Sequence, residues 1–167
     1  YLNDGNESTN VPYYTSPFAS PETLSAGRGY VVKRASTAEA TYTFTGGSLN
    51  NGDISASVTR TGTSAAKRGF NLIGNPYPSY IDWDAIHAQS TNMRDAIWFR
   101  TLDGGMTFHT YSDGDGVPLL DANNQPLNIT GKIAPMQAFW VKVHADGNNG
   151  ILTFKNTHRS HKGETGY

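Results

Sequence analysis

The sequence predicts an all-β chain: a two-sheet β-sandwich, jelly-roll-like, built from two related halves, with one short helix near residues 80–88. Three observations carry this. Short runs rich in Tyr, Phe, Val and Thr alternate with Gly-, Asn- and Asp-rich clusters, the punctuation of a sandwich or barrel. Gly (18) and Pro (8) together exceed the roughly 12% of average usage, which favours turns over long helices. The sequence also echoes itself: Gly27-Arg28-Gly29-Tyr30-Val31-Val32-Lys33 aligns with Met136-Gln137-Ala138-Phe139-Trp140-Val141-Lys142, and residues 41–46 align with 151–156.

In chain order, residues 1–10 are polar and read as an extended lead-in. Residues 11–160 read as one β-sandwich domain, and residues 161–167 as a tail. The strand candidates are 13–18, 29–35, 41–46, 54–60, 70–74, 96–101, 106–111, 138–144 and 151–156. Thr41-Tyr42-Thr43-Phe44-Thr45 alternates polar and aromatic, as a strand with one wet and one buried face does. The runs 96–101 and 106–111, joined through Asp103-Gly104-Gly105, read as a hairpin. Ser79-Tyr80-Ile81-Asp82 has the spacing of a capping box ahead of Trp83-Asp84-Ala85-Ile86-His87-Ala88, and Pro78 marks the start of that helix. The echoed segments predict two hairpins of like design pairing across a pseudo-symmetric core, with an insertion near 80–135 in the second half. Leu72, Ile73, Tyr30, Phe44, Phe139 and Phe154 are core candidates.

Composition narrows the function classes. The net charge is −1, charged residues are 16% and apolar residues 37%. These values argue against a disordered tail, a polybasic nucleic-acid binder and a membrane-inserted segment. With no cysteine, disulfides, thiolate metal sites and thiol catalysis are excluded. The chain opens on Tyr1-Leu2-Asn3-Asp4 without a visible signal sequence, and reads as a piece of a longer polypeptide.

The string Gly69-Phe70-Asn71-Leu72-Ile73-Gly74-Asn75-Pro76-Tyr77-Pro78-Ser79, with Ile81-Asp82-Trp83 behind it, is long and specific. It resembles the G-W-N-L-I-G-N-P-Y-P-S-x-I-D-W segment of large secreted and surface proteins of Bacteroidetes, where it typically precedes the C-terminal sorting domain of type IX secretion. Ser25–Tyr30, Phe44–Gly46 with Leu49–Gly52, and Ile133–Val141 resemble the strands around that segment, so the likeness spans roughly residues 16–160. Phe70 stands where Trp is usual, and Met136-Gln137-Ala138 lacks the usual glycines. The resemblance implies a non-catalytic β-sandwich region of an exported, multidomain protein. Taken on its own residues, the string has the composition of a rigid corner: Asn75 can bond its own backbone, prolines 76 and 78 stiffen the exit, and Tyr77 can staple it to the core.

The chemical candidates are few. Asp113, Asp115 and Asp121, with Asn123, lie on a Gly-permitted loop that could offer oxygens to a structural Ca²⁺. The EF-hand spacing is not met, and a solvated Asp-Gly turn is the competing reading. His158 and His161 lack the further ligands zinc needs, and read as an exposed tail. His87, His109 and His144 are isolated in sequence and read as surface or hydrogen-bonded histidines. Asp82 and Asp84 flank Trp83 at a helix start, where carboxylates cap amides. Glycosidase carboxylates instead face each other across a cleft, roughly 5–9.5 Å apart. No Gly-x-Ser-x-Gly elbow, phosphate-binding loop or His-Glu-x-x-His motif occurs, so the chain is not expected to be an enzyme, and no catalytic residue or cofactor is assigned. Aromatic residues leave one opening. If Ile97 and Phe99 face inward, Trp98 stands on the outer face. Trp98, Tyr111, Trp83 and Tyr80 could then form a sugar-binding platform. The competing reading packs Trp98 under the helix carrying Trp83.

The expected function is a structural or adhesive module of a secreted or cell-surface protein, monomeric, partnered by neighbouring domains of its own polypeptide. The alternative is a carbohydrate-binding module that targets an attached hydrolase to polysaccharide.

Overall fold

The computed structural model describes residues 24–30, 46–60, 68–100, 108–112, 119–120, 126–127, 130–144 and 149–161. The lead-in, the strand candidate 13–18, residues 41–45 of the candidate 41–46, with Phe44, and the Asp103-Gly104-Gly105 turn lie outside them. So do Asp113, Asp115, Asp121 and residues 162–167 of the tail. Among the described residues the chain is all-β with one short helix, as expected.

The strands are β1 (Ile54–Thr59), β2 (Phe70–Gly74), β3 (Tyr80–Asp82), β4 (Met93–Arg100), β5 (Phe108–Ser112), β6 (Leu119–Leu120), β7 (Pro126–Leu127), β8 (Lys132–Ile133), β9 (Ala138–Val143), β10 (Asn149–Phe154) and β11 (Arg159–Ser160). The helix α1 is Trp83–His87. A central antiparallel sheet runs in the order β2-β9-β4-β5; β1-β10 and β6-β7 form two-stranded pairs and β11-β3-β8 a triplet. In β1, Ser55 and Ser57 are exposed while Val58 is buried, the two-residue period of a half-buried strand. The partners of Ile54 and Ala56 on β10 are Phe154 and Leu152, both fully buried. The core gathers Ile73, Phe139, Val141, Ile97, Phe99 and Tyr111 from the inner face of the central sheet. Against them pack Trp83 and Ile86 of α1, Ile81 of β3, Ile133 of β8, and Leu152 and Phe154 of β10.

The hairpin expected near 96–111 is present as β4 and β5, with Arg100 opposite Phe108 and Ala96 opposite Ser112. Of the two echoed hairpins, the one over 29–35 and 41–46 lies mostly outside the described residues, and the one over 138–144 and 151–156 is not formed. β9 pairs with β2 and β4, whereas β10 pairs with β1. β9 and β10, consecutive in sequence, therefore belong to different sheets, and both bury apolar side chains in one core. The echoed segments flank a shared strand instead of facing each other. Arg28 bridges Ile73, Gly29 N–H donates to Leu72 O (3.1 Å) and Gly74 N–H donates to Gly27 O (3.2 Å), while β9 takes the other edge of β2. Gly29 is required at this approach, since a Cβ there would lie 2.6 Å from Leu72 Cγ and 2.9 Å from Ile73 O. Phe139 and Phe154 are core residues as expected, but Tyr30 is only half-buried, its hydroxyl accepting from Ser25 N–H.

The helix starts later than the capping-box spacing suggests. Ser79 does not cap it. Asn75 and Tyr77, each preceding a proline, are kept out of the helical region, and Ile81 and Asp82 pair with Ile133 and Lys132 as β3. The cap is Asp82, extended at φ −102°, whose Oδ1 accepts from Asp84 N–H at 3.1 Å. Ser79 Oγ instead accepts from Arg159 Nε.

Candidate functional site

Two constellations could carry function: the corner made by the Asn75–Trp83 string, and the outer face of the central sheet. The corner is braced by Asn75, 8% exposed. Its Nδ2 donates to the carbonyls of Ser79 (2.8 Å), Ile133 (3.2 Å) and Ala134 (2.9 Å), and its Oδ1 accepts from Tyr77 N–H (2.9 Å). One amide thus ties the turn to the end of β8. Tyr77 is buried and its hydroxyl donates to Gly52 O (2.6 Å), with the Arg159 guanidinium over its ring. Burial, and then the charge of Asp53, push the Tyr77 phenol above its ordinary value, with Arg159 opposing.

Below the corner, Trp83 is fully buried, edge-on to Phe139, and its Nε1 donates to Asp95 O (2.6 Å). His87 stacks on the same indole. Asp84 accepts from the Tyr111 hydroxyl through both oxygens (3.1 and 2.9 Å). Gly131 makes room for this contact, because a Cβ there would meet the Tyr111 ring at 2.8 Å. Asp82 pairs with Lys132 on the neighbouring strand. Asp82 and Asp84 are therefore each committed to a partner within the fold.

The outer face differs. Leu72 of β2 and Trp140 of β9 are buried there, with Phe70, Trp98 and Ala138 half-buried around them. Phe70 meets Trp98 edge-to-face, with centroids 5.0 Å apart and planes at 70°. Lys142 pairs with Phe70 across the strands and holds its ammonium 4.4 Å from the ring centroid. Burial, and then the like charges of Arg94, Arg60 and Arg68, lower the Lys142 pKa from its ordinary value.

The model of the family described as a domain of unknown function, DUF8693, matches residues 3–167. The chain belongs to the DUF8693 family. No curated protein and no solved structure matches it.

Within this DUF8693 domain the rings proposed as a platform do not meet. Trp98 does stand on the outer face, turned away from α1, so it does not pack under the helix. Tyr111 pairs with Ile97 and therefore shares the inward face, where it is buried. Trp83 is in the core, and Tyr80 is half-buried on β3 opposite Ser160. Trp83 and Tyr111 are thus structural, and the neighbours of Trp98 are Phe70 and Trp140. The signal for these neighbours was the unbroken apolar run Phe139-Trp140-Val141, which a strand shows when both its faces are covered. His158 is buried, not part of an exposed tail: its Nδ1 accepts from Lys155 N–H at the 3-10 turn Asn156–His158. His161 is exposed, His144 exposed, His87 half-buried and His109 buried.

Proposed function

We propose that this DUF8693 domain is a non-catalytic structural or adhesive β-sandwich module of an exported, multidomain bacterial surface protein, placed beside other domains of the same polypeptide. The observation that carries it is the inward commitment of the Asn75–Asp84 string. Asn75, Tyr77, Asp82, Trp83 and Asp84 all bond to the domain's own backbone or side chains, the arrangement of a brace. The likeness of that string to type IX secretion cargo supports export. The test is surface labelling of intact cells with antibody to this domain, together with hydrolysis assays of the purified chain on glycoside, ester and peptide panels. Labelling without turnover is expected. A parent protein confined to the cytosol, or turnover above buffer, would overturn the reading.

A second reading, a carbohydrate-binding module, draws on Trp98, half-buried on the outer face beside Phe70. The edge-to-face angle offers a sugar one ring at a time, so binding would be by a single stacked residue flanked by polar groups. A glycan-array signal abolished by Trp98→Ala is its test.

A further inference from the structure

We propose that the outer face of the central sheet binds an anionic polysaccharide, with Trp98, edge-to-face with Phe70, stacking a sugar ring and Lys142, Arg60, Arg68 and Arg94 receiving its carboxylate or sulfate groups. The inference deepens the carbohydrate-binding reading by naming the charge class, and rests on it.

The sequence is close to neutral overall, yet cations gather at this face. Lys142 stands opposite Phe70 and over its ring. Arg60 follows β1 and reaches across to Val143 O through Nη1 (3.3 Å), the carbonyl next to Lys142. Arg68 immediately precedes Gly69-Phe70, and its Nε is buried without a hydrogen-bond partner. Arg94, exposed on β4, is near enough for its charge to act on Lys142, as are the charges of Arg60 and Arg68. Like charges held together oppose one another, and an anion relieves that opposition. Asp95, the acid of β4, is turned to Ser112 Oγ (3.1 Å).

A small free anion would account for the cations alone. The rings decide for a sugar: Phe70 and Trp98 remain half-buried while Leu72 and Trp140 beneath them are closed off, which leaves ring surface bordering the charges. Apolar stacking combined with charge-assisted hydrogen bonds is the chemistry that recognises a pyranose carrying a carboxylate or sulfate.

The test is affinity electrophoresis and calorimetry of the intact chain against polygalacturonate, dextran sulfate and neutral dextran. Binding to one or both anionic polymers, weakening as salt rises, is expected. Arg94→Gln, at an exposed position, and Lys142→Gln should each weaken it roughly tenfold, the loss of one charge-assisted contact. Trp98→Ala should weaken it similarly, with circular dichroism confirming the fold. Polygalacturonate against dextran sulfate separates carboxylate from sulfate as the group received. Equal binding to neutral dextran, or no change in Arg94→Gln and Lys142→Gln, would overturn the proposal while leaving the carbohydrate reading standing. Binding to none of the polymers would overturn both. Anionic binding that survives Trp98→Ala unchanged would show an ion site without sugar recognition, and would also overturn it.

Discussion

Replacing Asn75 tests whether the corner is a brace. Its amide supplies two hydrogens shared among three carbonyls, those of Ser79, Ile133 and Ala134, and its oxygen receives Tyr77 N–H. Asn75→Ala removes both sets. Hydrogen bonds lost are worth about 1 kcal/mol each net, and a buried group left unpaired costs about 1–3 kcal/mol, so the total is about 3–5 kcal/mol. Against a domain stability of about 5–15 kcal/mol that is a large share. In urea, with a slope of about 2 kcal/mol/M, the midpoint should fall by about 2 M with the slope unchanged. Asn75→Asp sharpens the test. It keeps the acceptor for Tyr77 N–H but turns a carboxylate oxygen toward three carbonyls, so at neutral pH it should be at least as damaging as Ala. If Asn75→Asp unfolds within about 1 kcal/mol of the parent chain, about the worth of one hydrogen bond, then the three carbonyl contacts do not hold the corner and the reasoning fails.

Met136 sits at φ +59° and is 75% exposed, in the Ala134–Gln137 turn closed by Gln137 N–H on Ala134 O. Met136→Gly should therefore stabilise by about 0.5–1 kcal/mol, seen as a raised melting temperature. Tyr111→Phe removes the hydroxyl from Asp84 and should cost about 1.5–3 kcal/mol in denaturant unfolding, the range for a bond to a charged group. His158 is held below its ordinary pKa by burial first and by Lys155 next, with Asp53 and Asp82 opposing. The neutral ring is thus favoured in the folded chain. Its contribution is complete above the unfolded value of about 6.5 and is lost as pH falls from there toward the folded pKa. Melting temperature should drop across that window, and the drop should shrink in His158→Gln.

The all-β class and the β4–β5 hairpin were legible because they depend on local period and turn chemistry; that period places Ile97 and Phe99 on one face and Trp98 on the other, but which face is inward needs the packing. Pairings between distant strands were not. The repeat of Gly29-Tyr30 in Ala138-Phe139 is real as sequence, but likeness of two segments does not say whether they face each other or share a neighbour, and here both border β2. The helix start was misplaced because Ser79 and Asp82 are both good caps locally. Pairing of Ile81 with Ile133 decided between them, and that contact is invisible in a window of ten residues. Placing Tyr111 beside Trp98 needs a strand register that local sequence does not fix: its partner is Ile97, and one residue of register moves a side chain to the opposite face.

That register has a consequence for where function can sit. β4 and β5 alternate, with Ile97, Phe99, His109 and Tyr111 inward and Trp98 and Thr110 outward. β2 and β9 do not alternate: Asn71, Leu72 and Ile73 are all buried, as are Phe139, Trp140 and Val141. The outer face is thus closed over β2 and β9 near Leu72 and Trp140, and opens toward Trp98 and the Phe70–Lys142 pair. At that border the Phe70 and Trp98 rings and the Lys142 ammonium are only half-buried, so apolar surface and charge meet in reach of solvent. The inner face, by contrast, joins the central sheet to every described element of its core, so a substitution there perturbs the whole fold. A substitution at Arg94, exposed on β4, leaves that core untouched. Loss of binding without loss of stability is therefore the signature expected of the outer face, and loss of both together is the signature of the corner.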